Sequence, residues 1–445
     1  MIDSSRRLLI AHFAAGVAIV AVPGQQSESG VLAQGPGTQK RGPALVTLVS
    51  AGAKESVGCC TPWQHGIVPV RGGSLFVLVV RSRYEDEERT RGIGSDLELW
   101  RSRDRGVSWQ VVNSAPTTGD SDGALVPDGD HLAVAWTAHQ GKSWASAFMQ
   151  RYDVTKDAWL GEPVLLAGGT GPQDQYFVTD LERTRAGALV AAIGCHASPP
   201  GPAWTCAWST GLTWLSPGAA AWTPVAQANV SSYGCCGNLA ARGELVDVTY
   251  RTCPNEAIHG LRTLDLATGK YQQATEDCAM TGPHEGAFVA NVGVLAVDGT
   301  GGRTLLHLLG DHAPGKGRLA VSFARPGSDW VSTDLADDPV LFAGNENPQH
   351  YTLARGPANQ LYAYFSKASE QFANLWQCAV EDGKPVGAAR IVVPAVPNTF
   401  VAMTGCRTPQ AFSTAHVVVY GKPATAPGGI VSVYGTWPAQ TAWPK

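Results

Sequence analysis

Short apolar runs recur along the chain. SLFVLVV from Ser74, HLAVAW from His131, LVDVTY from Leu245 and HVVVY from His416 each stand between clusters of Gly, Pro, Asn and Asp. Runs of this length, bounded by turn residues, predict β-strands. Long amphipathic helical patterns are scarce. The runs belong to a larger repeat: a small loop, a few apolar residues, a Gly-containing turn, then a strongly apolar strand. It reads HGIVPVRGGSLFVLVV from His65, GALVPDGDHLAVAW from Gly123, YFVTDLERTRAGALVAAIG from Tyr176 and GNLAARGELVDVTY from Gly237. It returns as EGAFVANVGVLAVDGTGGRTLLHLLG from Glu285, HYTLARGPANQLYAYF from His350 and FVAMTGCRTPQAFSTAHVVVY from Phe400. The starts lie about 50 to 65 residues apart. Each unit is followed by a more polar pair of strands, often ending near a tryptophan: Trp109, Trp159, Trp222 or Trp330. Four strands per period predict an all-β fold, a β-propeller of seven four-stranded blades, with six blades and an irregular insertion as the alternative. ALVTLVS from Ala44 is expected to pair with the last blade and leave no open edge.

Composition narrows the class. The 445 residues are 44% hydrophobic, enough for a large core, and only 16% charged, with a formal net charge of −4. No basic block suggests nucleic acid. The 51 Gly and 29 Pro suit a turn-rich chain. Arg6 and Arg7 precede LLIAHFAAGVAIVAV, an apolar run of 15 residues. That length fits the apolar centre of a signal peptide better than a membrane span. SRRLLI from Ser5 also resembles a weak twin-arginine export signal. Cleavage is expected after Ala33 or nearer Pro23, and residues 1–42 read as signal peptide and flexible leader before a single propeller over 43–445. The alternative is a retained anchor. Export to the periplasm or outside agrees with an even count of 10 cysteines. Cys195 with Cys206, Cys253 with Cys278 and Cys378 with Cys406 are candidate disulfides. The doublets Cys59–Cys60 and Cys235–Cys236 are expected to bond other segments rather than each other.

One octet stands out. SRDRGVSW places Ser102, Asp104, Gly106 and Trp109 at fixed offsets between two strands. Its Ser and Asp oxygens can accept backbone N–H bonds in a tight turn, Gly permits a positive φ, and Trp covers the turn. Ser-x-Asp-x-Gly-x-x-Trp resembles the Asp-box, or BNR repeat, of the sialidase superfamily. There it joins the third and fourth strands of a blade on the face away from the active site, so the resemblance implies a structural role. FARPGSDW from Phe323 keeps only the Gly and the Trp. The run from Ile67 to Trp109 resembles the opening blade of a sialidase, and the run from Pro283 to Trp330 the blade that holds the family's catalytic glutamate, near Glu285. LYAYFSKASEQFANLWQCAVEDGKP resembles the blade that follows. About a third of the chain shares this likeness. The family's carboxylate-clamping arginines have no match at Gln64-His65-Gly66-Ile67, beside Leu309 or near Gln371-Phe372. The nucleophilic tyrosine would fall near Phe400. The resemblance therefore implies a sialidase-like propeller without sialidase chemistry.

A different set opens the first strands of the repeats: Gln64-His65, Asp174 to Tyr176, His284-Glu285 and His350-Tyr351. In a propeller these strands converge on the central channel, so their starts share one mouth. Expected ligand-binding residues are His65, Asp174, Tyr176, His284 and His350, with Arg83 and Asp86 at the acidic stretch YEDEER. Glu285 and Tyr351 are the expected catalytic residues if the protein is an enzyme. Three histidines and a carboxylate can also hold a divalent metal, the one cofactor the residues suggest. Trp63, Trp136 and Tyr362 read as core. The function expected is carbohydrate recognition at the channel mouth. The alternatives are a glycoside hydrolase or polysaccharide lyase using the same residues, and a scaffold presenting loops to another protein. The expected partner is a glycan or polysaccharide, with neither nucleic acid nor, after signal cleavage, membrane.

Overall fold

The computed structural model describes residues 44–434, apart from 60–64, 71–72, 89–91, 105, 116–119, 140–144, 169–174, 197–207, 230–236, 252–258, 273–292, 310–317, 336–350, 357–358, 368–369, 371–373, 394–397, 408–415 and 424–428. The expected signal peptide and leader lie outside the described residues. So do Cys206, Cys253 and Cys278.

Among the described residues the chain is built of β-strands, with no α-helix. Strands β1 (Ala44–Ser50) and β2 (Glu55–Cys59) come first. The described strands that follow form antiparallel units within sheets of four, five and eight strands. Unit one holds β3 (Ile67–Pro69), β4 (Leu75–Tyr84), β5 (Gly92–Ser102) and β6 (Gln110–Ser114). Unit two holds β7 (Asp120–Asp128), β8 (His131–His139), β9 (Ala145–Asp153) and β10 (Ala158–Ala167). Unit three holds β11 (Gln175–Arg183), β12 (Leu189–His196), β13 (Trp208–Leu215) and β14 (Ala226–Asn229). Unit four holds β15 (Asn238–Arg242), β16 (Leu245–Arg251), β17 (His259–Asp265) and β18 (Lys270–Tyr271). Unit five holds β19 (Val294–Val297), β20 (Arg303–Leu309), β21 (Arg318–Ala324) and β22 (Val331–Asp334). Unit six holds β23 (Tyr351–Arg355), β24 (Leu361–Phe365), β25 (Leu375–Glu381) and β26 (Lys384–Val393). Unit seven holds β27 (Asn398–Gly405), β28 (His416–Pro423) and β29 (Gly429–Tyr434), and β1 supplies its fourth strand by pairing antiparallel with β29. β2 pairs with β4, and β9 and β11 join two units into the eight-stranded sheet. The first strands touch in sequence order from β3 to β27. The fold is a β-propeller, with the first strands around the axis.

This architecture explains why the second strands carry long apolar runs. Each sheet is sandwiched between two neighbours, so both of its faces are buried. Alternate residues then serve alternate neighbours. Phe76 and Leu78 of β4 pack with Leu125, Val134 and Trp136 of unit two. Val77 and Val79, one residue out of phase, pack with Leu48, Val57 and Cys406. The pattern repeats in β12, where Ala191 and Ile193 face unit two and Val190 and Ala192 face unit four. Trp136 and Tyr362 are core, as their sequence context predicts.

The octet forms the turn between β5 and β6, the third and fourth strands of unit one. Ser102 Oγ accepts Gly106 N–H at 2.7 Å and donates to Asp104 Oδ1 at 2.8 Å. Asp104 Oδ1 also accepts Ser108 N–H at 2.8 Å. Gly106 sits at φ 94°, where a side chain would be strained. Trp109 Nε1 donates to Gly106 O at 3.2 Å. Burial pushes the Asp104 carboxyl up, but the Ser108 and Ser102 hydrogen bonds outweigh it and hold it below its ordinary range.

The expected Cys378–Cys406 disulfide is not formed. Cys378 is a free thiol in the apolar layer between units five and six, with Sγ 3.4 Å from Ala379 O. Cys406 belongs to a separate cluster beside β2 and β3. The two cysteines serve different inter-sheet layers, which the spacing along the chain does not reveal.

Candidate functional site

The first strands bring a charged cluster to the axis. Its centre is Asp180 on β11, fully buried. A register shift between Val178 and Asp180 marks a bulge in the β11–β12 pairing. Bulges re-aim side chains, and this one lies at the most polar point of the strand. Asp180 Oδ1 accepts the His65 main-chain N–H at 2.8 Å and meets His65 Nδ1 at 2.9 Å. Its Oδ2 accepts Asn238 Nδ2 at 2.8 Å and Leu239 N–H at 2.9 Å. Arg407 Nη2 stands 3.5 Å from Oδ2. One carboxylate thus joins units one, three, four and seven.

Glu182 lies two residues further along β11. Residues two apart share one face of a strand, so Asp180 and Glu182 bracket the same imidazole. Glu182 Oε2 is 3.6 Å from His65 Nε2, an ion-pair distance rather than a hydrogen bond. With Nδ1–H given to Asp180, Nε2 is the nitrogen turned toward Glu182. Arg407 Nη2 lies 3.2 Å from Nδ1, but two donors make no bond, and the guanidinium acts on Asp180 instead. Burial alone would raise the Asp180 carboxyl; His65, Arg407 and Leu239 N–H outweigh it and hold it below the ordinary carboxylate range. Burial pushes Glu182 up, against a smaller pull from His65. Two carboxyls with opposite shifts around one histidine form an arrangement able to hold and pass a proton.

Neighbouring units are stitched at the same level. The His65 carbonyl accepts Leu125 N–H at 2.8 Å. Thr137 Oγ1 accepts Val178 N–H at 2.9 Å, and Asn238 Oδ1 accepts Leu295 N–H. Arg355 donates to the carbonyls of Val297 and Arg407. Thr352 Oγ1 accepts Gly405 N–H at 3.1 Å.

Of the residues expected from the sequence, His65 is on the axis and 3% exposed. Tyr176 is the second residue of β11, partly buried. Tyr351 opens β23 and is 2% exposed, within the apolar cluster of units five and six. Arg83 pairs with Asp96 across β4 and β5, and Asp86 follows in the turn between those strands. The structure does not bring Arg83 and Tyr351 to the His65 cluster. Asp174, His284, Glu285 and His350 lie outside the described residues, and the expected convergence of three histidines rests on two of them. Among the described residues no cluster of three or more His, Cys, Asp or Glu side chains is arranged to hold a metal. Sequence reading passed over Asp180, Glu182 and Arg407. The signal for the first two was present: two acids at alternate positions of one strand, in VTDLER.

No protein-family model matches the chain, and no curated protein matches its sequence. Solved structures do match. A polysaccharide lyase, PL25 ulvan lyase, superposes with a TM-score of 0.52 at 11% identity, over 87% of this chain and 96% of that one. The lyase bound to -[GlcA(1-4)Rha3S]- gives 0.51 at 10% identity, over 87% and 96%. A protein of unknown function from Dyadobacter fermentans DSM 18053 gives 0.47 at 10% identity, over 88% and 98%. At such identities the likeness is one of fold.

Proposed function

We propose that this propeller recognises carbohydrate at the mouth where its first strands begin. One observation carries the reading: several strands around the axis start at polar residues. β11 begins directly after Asp174 and β23 directly after His350. His65, ahead of β3, is instead held toward the far end of β11 by Asp180 and Glu182, and His284 and Glu285 lie ten and nine residues before β19 in the sequence. Such side chains suit the hydroxyls of a sugar. The ulvan lyase fold neighbour, solved with a bound saccharide, lends the reading support. The apolar N-terminal run supports an exported protein, and a divalent metal at His284, Glu285 and His350 is part of the proposal, checked by metal analysis of the purified chain. The missing arginine clamp supports a role without sialidase chemistry.

A glycan array tests the reading. Binding is expected, and His350→Ala should abolish it while leaving the melting temperature unchanged. A chain that binds no glycan ends the proposal. A second reading, a hydrolase or lyase, is favoured by the oppositely shifted Asp180 and Glu182 carboxyls around His65. Release of reducing ends or unsaturated uronates would establish it; binding without turnover would exclude it.

A further inference from the structure

A cavity of about 410 Å³ lies at the other end of the axis, beside the turns that join first to second strands. Its volume falls in the range of small-molecule sites, roughly 300–1,000 Å³. Arg183, Arg185, Arg355, Arg407, His65 and Glu182 line it, and the rest of the wall is largely apolar backbone and side chains of β7, β15 and β19. We propose that this cavity binds a small organic carboxylate.

Charge sets the sign of the ligand. Four guanidiniums and one carboxyl line the space. Asp180, beneath it, is shared among His65, Asn238, Leu239 N–H and Arg407. Asp128 is divided between Arg183 at 3.0 Å and Arg151 at 2.7 Å. Arg355 donates to the carbonyls of Arg407, Asn359 and Val297, which accept its N–H groups without cancelling its charge. Arg185 stands at the rim, exposed, on a turn closed by Gly187 N–H to Thr184 O at 3.0 Å and Ala188 N–H to Thr184 Oγ1 at 3.1 Å. An anion entering here meets guanidiniums whose planar forks match a carboxylate. The apolar wall favours an organic ligand over an inorganic ion. Glu182, which burial holds toward its protonated form, can donate to a ligand carboxylate.

The titratable groups that face the lining arginines are His65, Asp180, Glu182, Asp128 beside Arg183 and Asp298 near Arg355. Protonation of Glu182 removes repulsion, so binding should tighten as pH falls.

Calorimetric titration of the full chain with D-glucuronate tests the site, with methyl glucoside and sodium sulfate as controls. Saturable binding of glucuronate is expected, weakened about tenfold or more by Arg185→Glu. Glu182→Gln should flatten its pH dependence. Methyl glucoside should not compete. Absence of saturable binding, or an Arg185→Glu variant that binds as wild type does, overturns the proposal. Equal binding of sulfate means an adventitious ion only and also overturns it. The carbohydrate reading fails separately, since His350→Ala, not Arg185→Glu, is the variant that tests it.

Discussion

At the scale of single residues, Asp180 has the heaviest role. It is buried and accepts hydrogen bonds from His65, Asn238 and the Leu239 main chain. Asp180→Ala strands those donors and leaves Arg407 without its nearest carboxylate. Removing one partner from a buried charged network costs about 3–5 kcal/mol. Denaturant melts should show a loss of that size; a variant as stable as wild type would remove the hub role. The pH dependence follows from the same contacts. Asp180 titrates below the ordinary carboxylate range in the folded chain. Its contribution is therefore complete above that range and is lost as pH falls through the folded value. The acid limb of the melting profile should be flatter in Asp180→Ala than in wild type. Asp104 sits in a similar web but on the surface, where water replaces part of what is lost. Asp104→Ala should cost about 1–2 kcal/mol and leave glycan binding at the strand-start mouth unchanged. An unaltered melt would argue that the octet is dispensable.

At the scale of elements, the second strands were the most legible part of the sequence. After their first residue, SLFVLVV and HLAVAW are apolar at every position because sheets cover both faces, and such runs need no alternation to announce a strand. Polar positions on first strands were harder to read. In VTDLER the two acids look like surface residues of an amphipathic strand, yet the axis buries Asp180 and covers most of Glu182. Only the convergence of the first strands makes that position interior, and convergence is not local. Arg407 was hidden for the same reason: it follows β27 in the chain but meets residues of units one, three and five. Gly405, at the end of β27, shows how tightly these strands approach. A Cβ there would lie well inside contact distance of Leu353 O on β23. Backbone cannot move aside as a side chain can, so Gly405→Ala should cost about 1–3 kcal/mol through overpacking. Unchanged stability in that variant would mean that units six and seven are loosely joined at this point.

At the scale of the whole molecule, closure depends on β1. Its pairing with β29 runs from Ala44↔Tyr434 to Ser50↔Gly429 and was anticipated by the run ALVTLVS. A chain lacking residues 44–50 would expose β29 as an edge, and exposed edges invite pairing with other chains. Size-exclusion chromatography should show association, and the melt should fall; a monomer of wild-type stability would make the closing strand ornamental. The same pairing has a consequence for the order of events during synthesis. Among the described strands, translation releases β1 first and β29 last. The first strand therefore waits, unpaired and apolar, while some 380 residues emerge. Contacts of such long sequence separation form slowly. For this protein the interval between the ribosome's first and last strand is the period of greatest exposure, and a factor that shelters the N-terminal segment during that interval would govern how much of the chain reaches its closed form.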